Sequence, residues 1–290
     1  MDMVHISGGA GRLSHILKTE LHISTGLMNR LKWNGGLRVN GESVHTDYPV
    51  TPGDVITLAL DEPEPEYPAQ EGQLHILYED PYLLAVDKPA GMLIHPSRAR
   101  MEDTLANYVV GYYQKTGQHS AFHPLTRLDR DTFGVVLLAK NAYIHARLQH
   151  CGAKKAYQAL TYGAPAADVG TVEAPIARKP LPSLLREIRP DGKPSVTEYR
   201  VLDRGNPVCR LELNPLTGRT HQLRLHCAWM GCPILGDPQY GSAESIAYSQ
   251  TLGLTGQMLW AYRLELNHPV TGKSLTILSE MESVFCQAAR

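Results

Sequence analysis

Apolar residues along this chain fall either three and four apart or in short, nearly unbroken runs, and the change of spacing marks the elements. Leu13, Ile16 and Leu17 repeat at helical intervals, which predicts a helix over residues 12 to 19, and a like pattern predicts a second over residues 25 to 33. Gly35 and Gly36 stop it. In residues 37 to 44, Asn40-Gly41 sits between two strand-length halves, a strong signal for a two-residue hairpin. Pro52, Gly53 and Asp54 then lead into a strand over residues 55 to 58. Residues 9 to 60 thus read as two helices followed by a small hairpin sheet.

From residue 61 the pattern breaks. Pro63, Pro65 and Pro68 alternate with carboxylates, which denies both helix and ladder hydrogen bonding, so residues 61 to 73 read as an extended, acidic linker. The second region, residues 74 to 290, opens with strand-length runs at 74 to 80 and 82 to 87, closed by a turn at Lys88-Pro89-Ala90-Gly91. A helix is expected over residues 104 to 115, with Leu105, Tyr108, Val109 and Tyr112 on one face. Residues 134 to 139 read as a buried strand, followed by a helix capped by Asn141 and stopped by Gly152. Further strands are expected at 156 to 162, 197 to 202, 208 to 213 and 259 to 266, and a helix at 220 to 230. Residues 181 to 193, rich in proline and charge, read as a surface excursion. Strands and helices in irregular order indicate an α+β fold with a mixed, largely antiparallel sheet, preceded by a small N-terminal α+β domain.

Composition bears on partners. The net charge of −1 argues alone against a nucleic-acid partner, but residues 61 to 80 hold seven acidic side chains and no Lys or Arg, while residues 81 to 290 hold 23 basic and 17 acidic. Residues 9 to 60 hold five basic and four acidic, so both expected domains are mildly positive around the acidic connector, and RNA is admissible. No apolar run approaches the length of a membrane span, no secretory signal opens the chain, and the five cysteines are scattered, so a cytoplasmic location is expected. His221, His226, Cys227 and Cys232 carry zinc-type side chains, but a helix over 220 to 230 spreads them too far to converge, and no metal is expected. No phosphate-cradling glycine motif stands in the proper context, so no nucleotide cofactor is expected either.

The densest polar cluster is the run from Thr126 to Thr132, with Asp129 between Arg127 and Arg130. Neighbouring guanidiniums favour the charged form of a carboxylate, which suits nucleophilic or general-base work. A charged surface turn would have the same residues, and Asp129 with Asp131 could instead form a glycosidase pair.

The stretch from Arg127 to Lys140 resembles the signature of the pseudouridine synthases of the RluA type, the class that modifies ribosomal and transfer RNA. Lys155 to Ala159 with Gly163 resembles that family's second motif, and Pro215 to His226, continuing to Gly236-Asp237, its third; Lys88 to Gly91 and His95-Pro96 agree as well. Residues 12 to 58 resemble the RNA-binding domain named after ribosomal small-subunit protein four. The resemblance implies isomerisation of uridine to pseudouridine in structured RNA, ribosomal or transfer, by a monomer that needs no cofactor. It implies Asp129 as the catalytic carboxylate, Tyr157 against the flipped base, Arg224 paired with Asp129, and Arg127 entering the vacated stack. Arg219, His221 and Arg130 are expected at the RNA near the site, and Arg12, Arg30, Lys32 and Arg38 in the N-terminal module. Two positions depart from the family pattern, Thr126 where His is usual and Phe133 where Ser is usual, so a non-catalytic RNA binder is the alternative.

Overall fold

Leu83–Lys88 and Phe133–Ala139 are buried along their whole length and pair antiparallel, with Gly134 opposite Lys88. They lie within a ten-stranded sheet whose main path runs Val169–Glu173, Val196–Arg204, Val208–Pro215, Lys154–Tyr162, Leu259–Asn267, Phe133–Ala139, Leu83–Lys88, His75–Glu79. Ser274–Leu278 and His123–Pro124 pair beside that path. The structure is a computed structural model, and it describes residues 2–60, 67–97, 100–149, 151–183 and 185–287; the connector's residues 61–66 lie outside the described residues. Among the described residues, Phe133–Ala139 with Leu259–Asn267 is the one parallel pairing in this sheet. The architecture is the expected α+β, mixed and largely antiparallel.

Alternation explains why the central strands read as unbroken apolar runs. Leu83, Ala85, Val135 and Leu137 join one core cluster, while Leu84, Val86, Val136 and Leu138 join another on the opposite face. A sheet covered on both faces needs apolar residues at every position. The second face carries Leu105–Lys115, capped by Thr104 and Asn107, together with Gln222–Trp229. The first carries Ala142–Leu148, whose Asn141 cap accepts from the Ile144 N–H at 2.9 Å.

The N-terminal part has helices Leu13–Thr19 and Thr25–Trp33 and a four-stranded sheet ordered Asp2–Ile6, Val55–Ala59, Leu37–Val39, Glu42–Ser43. Asn40 and Gly41 turn the hairpin with φ of 52° and 88°, as the two-residue loop requires. Asp2–Ile6 extends the sheet ahead of residue 9. The apolar cluster of this part continues into the large sheet, and the Tyr143 hydroxyl donates to the Leu21 carbonyl at 2.8 Å.

One stretch differs from its expected form. Residues 181 to 193 are not all surface excursion, because Arg186–Ile188 pairs with Ile176–Arg178 as a short two-stranded arm. Ala243–Thr251, Val169–Glu173 and Ser274–Leu278 are additional elements. No helix among the described residues is long and apolar enough to cross a membrane.

Candidate active site

Three separate elements converge on a cleft of about 400 Å³: the loop bearing Asp129, the strand bearing Tyr157, and the turn and helix that carry Arg219, His221 and Arg224. The loop is fixed from behind. Leu128 is buried in the core, the Thr126 hydroxyl accepts the Leu137 N–H at 3.0 Å, and the Gln257 amide donates to the Thr132 hydroxyl at 3.1 Å. Gly134 follows at φ 112°, where a Cβ would stand 2.3 Å from the Ala261 carbonyl oxygen, so only glycine lets the two parallel strands approach there. Thr126 and Phe133, the two departures from the family pattern, both face the interior, Phe133 packing with Trp260 and Phe285.

Lys88 is fully buried, and its ammonium donates to the carbonyls of Pro89, Met92 and Arg130, each at 2.9 Å. Burial pushes its pKa down to about 7 against the pull of Asp131 and then Asp129. Three carbonyl acceptors use all three N–H groups of the charged form, so the side chain ties the Asp129 loop to the end of Leu83–Lys88. Lys88→Met should leave those carbonyls without a donor and lower stability by about 3 kcal/mol or more. Chemical denaturation would measure it, and an unchanged midpoint would show that the loop holds its shape without the lysine.

Arg224 is buried and spends most of its fork on Asp237. Nε donates to Oδ2 and Nη2 to Oδ1, both at 2.7 Å, and Nη2 also reaches Gln239 Oε1 at 2.8 Å. Asp237 is further held by the N–H groups of Gln239 and Tyr240. Nη1 remains for Asp129, donating to Oδ2 at 3.1 Å, while the Tyr240 ring lies 4.9 Å beneath the guanidinium. One oxygen of Asp129 is thus oriented by a fixed cation, and the other accepts no hydrogen bond among the described residues.

His221 caps the helix Gln222–Trp229 in the left-handed region, φ 58°. The Tyr240 hydroxyl accepts the Arg186 N–H at 3.0 Å and also hydrogen-bonds His221 Nδ1 at 2.7 Å. Nε2 of the same ring lies 3.9 Å from Asp129 Oδ2. Burial pushes the His221 pKa down, with Asp129 opposing. Gln222 locks the neighbouring turn, accepting from the Thr217 hydroxyl and the Arg219 N–H and donating to Val196 and Thr197.

Tyr157 lies where the ladder to Leu259–Asn267 slips by one residue, an irregularity that re-aims a side chain. Its ring lines the cleft, and burial first, then Asp129, push its phenol upward, keeping it neutral. Arg127 is exposed on the same cleft, and Arg219 at its rim donates to the Pro194 carbonyl. Arg130 stands apart: it is paired with Asp131 at 2.9 Å through two hydrogen bonds. Asp131 lines a different cavity, behind the loop against Gly256, so Asp129 and Asp131 do not flank one bond as a glycosidase pair must. His226 bonds Thr197 and Ala174, and Cys227 is buried beside it. Arg12, Arg30, Lys32 and Arg38 are exposed on the N-terminal part, remote in sequence from the cleft lining.

Asp237, Gln239, Tyr240 and Lys88 are residues to which sequence reading assigned no role. Asp237 and Lys88 stood inside stretches resembling the family pattern, which was the available signal.

Residues 82–229 match the family model described as RNA pseudouridylate synthase. The chain is 35% identical over 263 residues to the uncharacterized RNA pseudouridine synthase YjbO of Bacillus subtilis (strain 168), covering 88% of this chain and 90% of that one. It is 31% identical over 294 residues to the ribosomal large subunit pseudouridine synthase C of Vibrio cholerae, covering 96% and 91%. Among solved structures, human RNA pseudouridylate synthase domain containing 1 superposes with a TM-score of 0.58 at 27% identity, over 73% of this chain and 84% of that one.

Proposed function

The chain belongs to the RluA-type family of RNA pseudouridine synthases, and on that premise we propose that its substrate is structured ribosomal RNA, in which it isomerises specific uridines, with transfer RNA as the second candidate. The observation that carries the chemistry is the Asp129 carboxylate, with one oxygen held by Arg224 and the other open to the cleft beside Tyr157. A stacked uridine must leave its helix to reach this depth, at a cost of roughly a few kcal/mol, and the exposed Arg127 guanidinium fills the gap it leaves. Tyr157 lies against the extruded base, where stacking contributes about 1–3 kcal/mol. Asp129 assists rupture of the bond between ribose and uracil N1. The uracil turns in the cleft, C5 joins the ribose carbon, N1 takes up a proton and C5 gives one up. No atom is gained or lost, so no cofactor or energy source is required. The relative named for the ribosomal large subunit, aligned over nearly the whole chain, supports the choice of ribosomal RNA.

RNA labelled with tritium at C5 of uridine tests the reaction, since rejoining through C5 releases the label. Mapping pseudouridine in cells lacking the protein tests the substrate: loss of a ribosomal site is expected, and loss confined to transfer RNA would overturn the ribosomal assignment.

Of the expected 61–73 linker, Pro68 and Gln70 are hydrogen-bonded to Asp103 and Asn107, so its described end is docked on the catalytic part and not free. The N-terminal part serves as an RNA-binding domain of the small-subunit protein four type. Arg30, Lys32 and Arg38 are exposed there, and the Lys32 ammonium lies 5.5 Å from the ring of Trp33, itself 81% exposed. Because this part shares an apolar cluster with the large sheet, deleting it would uncover core, and neutralising charge is the cleaner test. Replacing all three cations by Gln should weaken binding to long RNA and reduce the slope of log affinity against log salt by about 2 to 3. Identical slopes for variant and parent would refute the role.

A further inference from the structure

Lys155 lines the catalytic cleft two residues before Tyr157 on the strand Lys154–Tyr162, about 7 Å along it. Its side chain is partly buried, yet it makes no hydrogen bond or ion pair with any described residue. The other cations of the cleft are engaged or open to water: Arg224 holds Asp237 and Asp129, Arg219 donates to the Pro194 carbonyl, and Arg127 is exposed. Burial alone pushes the Lys155 pKa down, with no carboxylate acting in the other direction. A partly desolvated cation without a counter-ion is unfavourable in the free protein and becomes favourable once an anion arrives. Asp129 does not supply that anion, because its bound oxygen faces Arg224 and no Lys155–Asp129 pair exists among the described residues. Uracil is neutral. The formal charge that RNA brings into the cleft sits on its phosphodiesters.

We propose that Lys155 is the phosphate-binding residue of the cleft, pairing with a backbone phosphodiester adjoining the extruded uridine while Tyr157 holds its base. The assignment rests on the chain acting on RNA and does not depend on which RNA. Strand geometry suits the task, since Lys155 and Tyr157 ride on one rigid strand and hold phosphate and base at a fixed separation. Lys155 is a binding and positioning residue here, and it takes no part in the bond changes.

Lys155→Met keeps the aliphatic stem and removes the charge, and Lys155→Arg restores a charge. With tritiated RNA, Lys155→Met should raise KM about tenfold or more, with the larger part of the loss in KM, and Lys155→Arg should recover most of it. The salt slope of binding, measured in the Asp129→Asn background, should fall by about 0.7–0.9. RNA with neutral methylphosphonate linkages flanking the target should cost the parent the same factor and cost Lys155→Met nothing further, because the pair is then already lost. An unchanged KM and salt slope, or losses from the variant and the neutral linkage that multiply, would overturn the proposal. Absence of tritium release by the parent would instead count against the catalytic reading, with the salt slope still deciding the fate of Lys155.

Discussion

Asp129→Asn should leave a folded, RNA-binding protein that releases tritium about 10³-fold more slowly, or not at all. The amide has nearly the shape of the carboxylate, and its oxygen can still accept from Arg224 Nη1, where Asp129 now accepts at 3.1 Å. Arg224 keeps its two hydrogen bonds to Asp237 in any case, so the buried guanidinium is not stranded. The Asp129 side chain is 27% exposed, and its loop is anchored by Leu128, Thr126 and Lys88 and not by the carboxylate itself. A stability change of about 1 kcal/mol is therefore expected. What the amide cannot do at neutral pH is attack carbon or take a proton. Asp131→Asn is the control. That carboxylate faces the cavity behind the loop and pairs with the exposed Arg130, so its variant should keep most of the activity. Thermal unfolding and filter binding would establish that the Asp129→Asn variant is intact, and substantial tritium release by it would sink the catalytic assignment.

The contrast between these two aspartates shows where sequence was readable. Local chemistry fixed some elements closely: the helix expected over residues 25 to 33 is Thr25–Trp33, because Ser24 caps it and Gly35 follows its end at φ 64°. The Asn40-Gly41 hairpin is legible for the same reason. Ala243–Thr251 escaped because its buried face presents Ser245 and Ser249 where a periodic reading looks for apolar residues. The arm strands Ile176–Arg178 and Arg186–Ile188 are three residues each and mixed in polarity, too short for alternation to register. At the site, resemblance to a family named Asp129, Tyr157 and Arg224 together, and the fold brings them to one cleft. Asp129 and Asp131 face different cavities, of which the sequence shows only that residues two apart in a loop need not converge on one bond. Nor did it show that Asp237 and Tyr240 organise Arg224, since that arrangement depends on a turn after the helix and not on any period within it.

Arg224 is the residue through which stability and activity meet. Arg224→Met would leave Asp237, whose side chain is 1% exposed, as a buried carboxylate with only the Gln239 and Tyr240 N–H groups as partners. Removing one member of a buried pair typically costs about 3–5 kcal/mol, which for a chain of this size lowers Tm by about 10 °C. Turnover should fall as well, but instability alone would explain that. Arg224→Lys keeps the charge and loses the fork: a compact ammonium cannot serve both oxygens of Asp237, Gln239 and Asp129 at once, so partial recovery of stability with little recovery of activity is expected. The double variant Arg224→Met with Asp237→Leu separates the two effects. Replacing both charges by apolar side chains removes the stranded carboxylate and should return much of the lost stability. Asp129 would still lack the cation that orients it, so single-turnover tritium release should stay at least about 10²-fold below the parent. If the double variant were both stable and fully active, the contact between Arg224 and Asp129 would be structural only, and catalysis would have to be assigned to Asp129 without it.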